Sequence, residues 1–261
     1  MRVKNALVTG AGHRLGREMA IYLAQRGFRV AVHFAHSEKG AHDTVARIRE
    51  IGGRAVSLQA DVLDDAQTEL LFEEACDALD GAVTCLVNNA SIFEYDTVAT
   101  ATRESWDRHM QSNLRAPFIL TQMMAAQGLK PERDAAGEPV ASGVIVNMID
   151  QRVRKLTPEF MTYTLAKTTL WAMTQTTAQA LAPAIRVNGI GPGPTLKGGR
   201  QTEEHFAKQR ASTVLERGAN PADITGALGY ILDAPALTGQ LLCVDGGQHL
   251  GWQTPDVLGV E

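Results

Sequence analysis

The stretch Val3-Lys4-Asn5-Ala6-Leu7-Val8-Thr9-Gly10-Ala11-Gly12-His13-Arg14-Leu15-Gly16 decides the fold of this chain. Arg2 to Val8 reads as a short buried strand that runs straight into a glycine-rich turn. Beyond the turn, Leu15, Met19 and Leu23 recur at helical spacing, and Gly27 closes the helix. Strand, glycine-rich turn and helix make the first half of a dinucleotide-binding βαβ unit. Such a turn brings backbone amides and the positive end of a helix against a pyrophosphate. Glycines alone would be weak evidence, and a plain tight turn is the simpler alternative; the flanking strand and helix favour the nucleotide.

Working outward, strand and helix patterns alternate to the end of the chain. Strands are predicted at Arg29–Phe34, Ala55–Gln59, Val83–Val87, Gly143–Met148, Ile185–Gly189 and Leu241–Val244. Helices are predicted at Lys39–Ile51, from Asp61 through Leu79, at Glu104–Gln127 and at Pro158–Leu181. On the last of these, Ala166, Leu170, Met173, Thr177 and Leu181 form a buried stripe, and Pro183 ends it. Lys130–Ser142, rich in Pro, Gly and charge, reads as a surface loop, and so does Gly191-Pro192-Gly193-Pro194. This alternation implies an α/β fold: a doubly wound parallel sheet of about seven strands with helices on both faces. No linker or repeat divides residues 1–261, so one domain is expected, with a cofactor half to about residue 150 and a catalytic and substrate half beyond it.

Composition fits a soluble enzyme. The net charge is −4 and the pI about 6.0, with no basic patch, which argues against nucleic acid. Cys76, Cys85 and Cys243 are scattered, which suits small buried hydrophobes in a reducing compartment. Met1 leads almost at once into the first strand, leaving no room for a signal peptide, and no apolar run is long enough for a bilayer. A cytoplasmic location is expected. His33, His36 and His42 lack a metal-ligand pattern and are expected to be solvated or packed.

Tyr163 and Lys167 stand four apart on the predicted helix, so they share a face. An ammonium near a phenol favours phenolate, so the spacing predicts a lowered Tyr163 pKa and a group able to exchange a proton. Asp150 lies thirteen residues ahead of Tyr163. A serine at such a place would donate a hydrogen bond to a developing alkoxide, whereas a carboxylate has no proton to donate and repels an oxyanion. Asp150 therefore suits a ring that presents N–H donors, or an imine nitrogen that is protonated as hydride arrives. A structural alternative is that Asp150 caps the following loop through Arg152 or Arg154.

With these residues in hand, the chain resembles the short-chain dehydrogenase/reductase family over essentially its whole length. The resemblance rests on the glycine-rich turn, Asp61-Val62, Asn88-Asn89-Ala90, Asn113, Tyr163-x-x-x-Lys167, Pro192-Gly193 and Asp245-Gly246-Gly247. It implies a Rossmann-type sheet, a nicotinamide cofactor, Tyr163 as proton donor, Lys167 on the nicotinamide ribose and Asn113 holding a relay water. It further implies that Asn89 lies beside the cofactor, that Pro192 orients it, and that the protein is a homotetramer, with Trp252 packing across a subunit boundary.

Two departures narrow the subgroup. The usual T-G-x-x-x-G-x-G turn has Arg14 in place of its middle glycine, and the usual serine is Asp150. Both are similar to the pteridine and dihydromonapterin reductases, which the run Asn89-Ala90-Ser91-Ile92-Phe93 also resembles. By that likeness Arg14, Ser91, Phe93, Asp150, Tyr163 and Lys167 face a pterin, with Phe93 stacking on its ring; plain core packing is the alternative for Phe93. Arg14 is expected beside the pterin carbonyl or the cofactor phosphates. Lys197–Arg217, where the family usually covers its substrate, carries no comparably specific match. Arg152, Arg154 and Lys155 read as a wet loop or as an attractor for an anionic substrate tail. At the end of the second strand, Val32 to Ser37 contains no acid and the first one is Glu38, which removes repulsion against a 2′-phosphate. His36, Ser37 and Arg14 offer donors to it, so NADP(H) is expected. The expected function is NADPH-dependent reduction of a pterin C=N bond. A carbonyl or 3-oxoacyl reductase is the alternative, and a non-catalytic dinucleotide-binding protein a third.

Overall fold

The computed structural model describes residues 4–199 and 201–253. Residues 2 and 3 of the predicted first strand and Arg200 lie outside them. Seven parallel strands form one sheet in the order β3-β2-β1-β4-β7-β8-β9. They are β1 (Lys4–Val8), β2 (Phe28–Phe34), β3 (Ala55–Gln59), β4 (Cys85–Asn88), β7 (Gly143–Met148), β8 (Ile185–Pro192) and β9 (Leu241–Val244). The connecting helices are α1 (Arg14–Gln25), α2 (Glu38–Glu50), α3 (Asp65–Ala78), α4 (Arg103–Met110), α5 (Ala116–Ala126), α6 (Met161–Leu181), α7 (Glu203–Ala211) and α8 (Pro221–Asp233). The seven-stranded, helix-flanked sheet is the Rossmann-type fold that the alternating pattern predicts.

Both faces of the sheet are covered, so its strands are apolar on both sides. Ala6 and Val8 point into one core with Val30, Val32, Cys85 and Val87, under Met19, Leu23 and Ile48 of α1 and α2 and Ile224 and Leu228 of α8. Leu7, Ala31 and Leu86 point into the opposite core, under Leu71, Phe72, Leu120 and Met124 of α3 and α5. Strand order reverses at β1, which pairs with β2 on one side and β4 on the other. In such sheets the ligand crevice opens beyond the carboxyl ends of the strands at that reversal. The glycine-rich turn after β1 and the loop after β4 meet there.

The structure corrects several boundaries. The predicted helix from Glu104 to Gln127 is two helices joined by a π-helical turn, Gln111–Arg115, which contains Asn113. Part of the predicted loop at Lys130–Ser142 pairs as an antiparallel hairpin, β5 (Glu132–Arg133) with β6 (Pro139–Val140). Helix α6 starts at Met161 rather than Pro158, and β8 continues through Gly191 and Pro192, which pair with Cys243 and Val244. Of the predicted stripe on α6, Ala166, Leu170 and Met173 are buried, while Thr177 and Leu181 are half-buried. Helix α8 was not expected, although its start is written locally: Asn220 caps it, Pro221 opens it, and Asp223 accepts from Asn220 N at 2.7 Å. Among the described residues no helix is long and apolar enough to cross a membrane.

Candidate active site

The first part of the site is a cleft of about 650 Å³ at the switch point. Of the residues expected at the nucleotide, Gly10, His13, Arg14, Leu15, Gly16, His36, Ser37, Asp61, Val62, Asn89 and Ala90 line it, as does Ser91. Gly12 packs beneath it, where a Cβ would lie 2.5 Å from Ser37 Oγ. Gly16 is required by the crossing of helix and turn, because a Cβ there would meet Gly10 O at 2.3 Å. The loop after β4 is latched to the turn by Thr9, whose Oγ1 accepts from Asn89 N and Ala90 N at 2.9 Å each. Asn89 Nδ2 returns a bond to Thr9 O at 2.9 Å. Helix α1 begins at His13 with no side-chain cap and no acid in its first turn, so its amide end faces the cleft unscreened.

Two supports of this turn were not read from the sequence. His33 is buried; its Nδ1 accepts from Gly10 N and its Nε2 lies 3.0 Å from Ala60 O, so Nε2 carries the proton. Burial lowers its pKa, consistent with a neutral buttress. Arg17 reaches under the turn, donating to Gly12 O at 2.8 Å, to Gly40 O at 3.3 Å and to Thr44 Oγ1 at 3.2 Å. The only sequence signal for either was position: one residue on the adjacent strand, one in the first turn of the helix.

Arg14 stands in the cleft lining, held from beyond β8. It adopts the left-handed φ of +54° that the family glycine would take freely. Its guanidinium donates to Lys197 O at 2.7 Å and Leu196 O at 3.0 Å. Thus Arg14 lines the cleft while its guanidinium ties the turn to the segment beyond β8. That segment leads to α7, which Thr202 caps through His205 N at 3.1 Å.

The second part is a buried polar cluster at the carboxyl end of β7. Asp150 Oδ1 accepts from Arg152 N at 2.8 Å, and Asp150 Oδ2 accepts from Tyr163 Oη at 2.9 Å. One oxygen caps the turn Gln151–Arg154, as the structural alternative expects, and the other touches the tyrosine. Lys167 Nζ donates to Met148 O at 2.7 Å and lies 5.7 Å from the centroid of the Tyr163 ring. Burial raises the Asp150 pKa and lowers that of Lys167 to about 8. The expectation for Tyr163 is overturned: its pKa is raised well above the phenol range, first by burial and then by the Asp150 charge it faces. Burial leads, and of the two charged neighbours the carboxylate outweighs the ammonium because the hydroxyl bonds Asp150 while Lys167 bonds a carbonyl.

Around the tyrosine stands an aromatic shelf. Phe93 is 44% exposed; its ring stacks on Phe160 at 4.3 Å and meets Tyr163 edge-on at 4.6 Å. The sequence singled out Phe93 but not Phe160, which bulges out with φ +54° just before α6. Arg152 lies over Phe160 at 5.1 Å and Arg154 over Trp171 at 5.5 Å, so both guanidiniums of the basic run pack on aromatic rings. Ser91 Oγ donates to Ile92 O at 3.3 Å. Asn113 is fully buried and clasps the same loop, accepting from Ile92 N and donating to Ile92 O at 2.9 Å each. Gly193 packs against Asp245, whose Cα lies 2.6 Å from where a Cβ would be. Pro192 and Gly193 are not among the residues lining the nucleotide cleft.

A nucleotide cleft at the switch point of a parallel sheet, with a buried Asp-Tyr-Lys group one strand away, defines a dinucleotide-dependent oxidoreductase scaffold. Residues 4–208 match the short chain dehydrogenase family, and the chain belongs to it. FolM alternative dihydrofolate reductase 1 from Brucella canis, solved in complex with NADP, superposes with a TM-score of 0.89 at 41% identity, covering 97% of each chain. An uncharacterized oxidoreductase from Methylorubrum extorquens is 32% identical over 252 residues, covering 94% of this chain and 97% of its own. A 3-oxoacyl-[acyl-carrier-protein] reductase FabG from Staphylococcus aureus is 28% identical over 252 residues, covering 95% and 98%.

Proposed function

We propose that this chain is an NADPH-dependent reductase of a pterin C=N bond, taking a dihydropterin to the tetrahydro form. The observation that carries this is the Asp150 carboxylate bonded to the Tyr163 hydroxyl at 2.9 Å, where a ketone reductase needs a hydroxyl donor. Likeness to the NADP-bound alternative dihydrofolate reductase supports both cofactor and substrate class. The residues fit a phosphorylated dinucleotide. The α1 amide end is uncapped, and no carboxylate stands between Phe34 and Ser37. The cofactor, when bound, supplies the hydride.

The chain's own residues handle the proton. Tyr163 stays protonated because burial and Asp150 hold its pKa high, which makes it a donor. Asp150 accepts pterin N–H groups and, its pKa raised by burial, takes up a proton from solvent and relays it to Tyr163 as the ring nitrogen takes the phenol's. Lys167 would hold the ribose of the bound cofactor, and Asn113 keeps the loop after β4 in place, where it would hold a relay water. Asn89 would lie alongside the bound cofactor, and Pro192 would help orient it. Ser91 and the shelf of Phe93 and Phe160 receive the flat heterocycle; offset stacking contributes about 0.5–1.5 kcal/mol beyond area burial. As one domain of 1–261, the protein assembles as a homotetramer in the cytoplasm. A groove of about 850 Å³ lined by Met110, Leu114, Phe118 and Met173, and the 61% exposed Trp252, supply apolar contact surface.

NADPH oxidation by purified protein tests the reading, with dihydropterins and dihydrofolate set against ketones and an acetoacetyl thioester. Turnover confined to pterins is expected. The FabG likeness favours a second reading, a carbonyl or 3-oxoacyl reductase, and turnover confined to ketones or thioesters would select it.

A further inference from the structure

We propose that Asp96, His109 and Thr162 form a positioning cluster that seats the helix carrying Tyr163 and Lys167 and locks it to the loop bearing Ser91 and Phe93. It rests on the catalytic roles assigned above to Tyr163 and Lys167, and not on the choice of substrate.

Helix α6 starts without a cap of its own. Its N-cap residue is Phe160, in the left-handed region and with no side-chain bond to the first turn. The open amides of that turn need acceptors, and a neighbouring loop supplies them. Met161 N donates to Asp96 O at 3.3 Å, and Thr162 N donates to Asp96 Oδ1 at 3.1 Å. Thr162 Oγ1 donates to Asp96 Oδ2 in a short bond, and Ser105 Oγ donates to the same oxygen at 3.3 Å. A carboxylate at this end of the helix also meets the positive end of its dipole. Asp96 is therefore a cap delivered from a distance of 66 residues in sequence.

His109, in the last turn of α4, completes the lock. Its Nε2 accepts from Glu94 N at 3.1 Å, which places its proton on Nδ1. Nδ1 then donates to Thr162 Oγ1 at 2.7 Å and faces Ser105 O at 2.9 Å. Every donor in the chain from Glu94 through His109 and Thr162 to Asp96 has an acceptor. The cluster is sealed from solvent, with Asp96 2%, His109 0% and Thr162 1% exposed. Buried polar groups at this density fix one arrangement, because any slip leaves one unpaired.

The consequence is geometric. Tyr163 follows Thr162 directly, whereas its partner Asp150 is anchored on β7 and the turn that follows. The 2.9 Å contact between them therefore depends on where the first turn of α6 sits. Glu94, held by His109, lies next to Phe93, so the same cluster sets the aromatic shelf. None of Asp96, His109 or Thr162 lines the nucleotide cleft.

The test uses Thr162→Val, which removes the hydroxyl and keeps the shape, and Thr162→Ser, which keeps the hydroxyl. His109 Nδ1 retains Ser105 O in the valine variant, so the fold is kept. With whichever pterin or ketone the parent reduces fastest, Thr162→Val is expected to lose about 10- to 100-fold in kcat. Its NADPH Kd should stay within about twofold, and Thr162→Ser should remain within about threefold of the parent. Placed on a Tyr163→Phe background, Thr162→Val should change the residual rate by less than about twofold, because no phenol is left to position. Asp96→Asn should show the same split between kcat and NADPH affinity. Equal losses in both backgrounds, or parental kcat in Thr162→Val well below its unfolding temperature, would overturn the proposal. Turnover of ketones alone would overturn the pterin reading and leave this test standing. No turnover on any substrate would remove the catalytic assignment on which it rests.

Discussion

Tyr163 Oη donates to Asp150 Oδ2 at 2.9 Å, while the other carboxylate oxygen is held by the Arg152 amide. The carboxylate is thus fixed from one side and offers its second oxygen to the phenol. A serine hydroxyl could cap the Arg152 amide but not serve both roles as the carboxylate does: it has one oxygen, and it would present a proton where Asp150 presents charge.

That difference makes a reciprocal prediction. Asp150→Ser should lower kcat/KM for dihydropterins by about 10²- to 10⁴-fold, the usual contribution of a placed acid–base group. Activity on simple ketones should rise or appear in the same variant, because the hydroxyl restores a donor for an alkoxide. Tyr163→Phe should lose both activities. Pterin turnover by Asp150→Ser at the parental rate would mean that the carboxylate serves only its cap on Arg152.

The alkaline side of the pH profile should report Lys167. Burial brings its pKa from the ordinary 10.5 down to about 8, so its ammonium is lost as pH rises through about 8. The profile of kcat/KM for NADPH, which reflects the free enzyme, should fall on its alkaline limb with a midpoint of about 8. Stability runs the other way for this group. Between about 8 and 10.5 the unfolded lysine binds a proton that the folded one has released, so its contribution to stability rises with pH. A flat profile across that window would exclude an essential Lys167 ammonium.

The sheet was legible because each strand is an apolar run bounded by turn residues, and the helices between them carry period-3.6 stripes. Tyr163 and Lys167 were legible as a pair from their spacing, and Asp150 as a departure from the family pattern. The direction of the Tyr163 pKa was not, since spacing places Lys167 on the same helix face but cannot say which atom its ammonium bonds. Phe160, His33 and Asp96 were missed for a related reason. Their partners, Phe93, Gly10 and Thr162, lie 67, 23 and 66 residues away, and only the folded chain brings them together. Arg14 was seen as a departure from the glycine pattern, but its two carbonyl partners sit beyond residue 195, past the reach of any local motif.

His33 gives a stability prediction. His33→Leu fills the volume but leaves Gly10 N without its acceptor and Ala60 O without its donor. Each orphaned buried group costs about 1–3 kcal/mol. In a protein of this size each kcal/mol lowers Tm by about 2–4 °C, so thermal unfolding should show a loss of several degrees. NADPH affinity should fall as well, because the turn that receives the pyrophosphate loses its buttress. A Tm equal to that of the parent would show that water or a shifted turn satisfies both groups.

Cofactor choice should turn on His36 and Ser37, between β2 and α2. His36 and Ser37 line the cleft, and Glu38 is already in the first turn of α2. Arg14 lines the cleft with two of its donors on Leu196 O and Lys197 O, and Lys39 pairs with Asp43 at 2.9 Å. Discrimination then depends on the absence of a carboxylate together with the His36 and Ser37 donors. His36→Asp places a carboxylate where it repels the phosphate and can bond a ribose 2′-OH instead. The variant should raise KM for NADPH by about tenfold or more, the effect of roughly 1.4 kcal/mol, and lower KM for NADH. Steady-state kinetics with both cofactors decide it. Retention of the NADPH preference in His36→Asp would move the selectivity to Ser37 and to Arg14 at the glycine-rich turn.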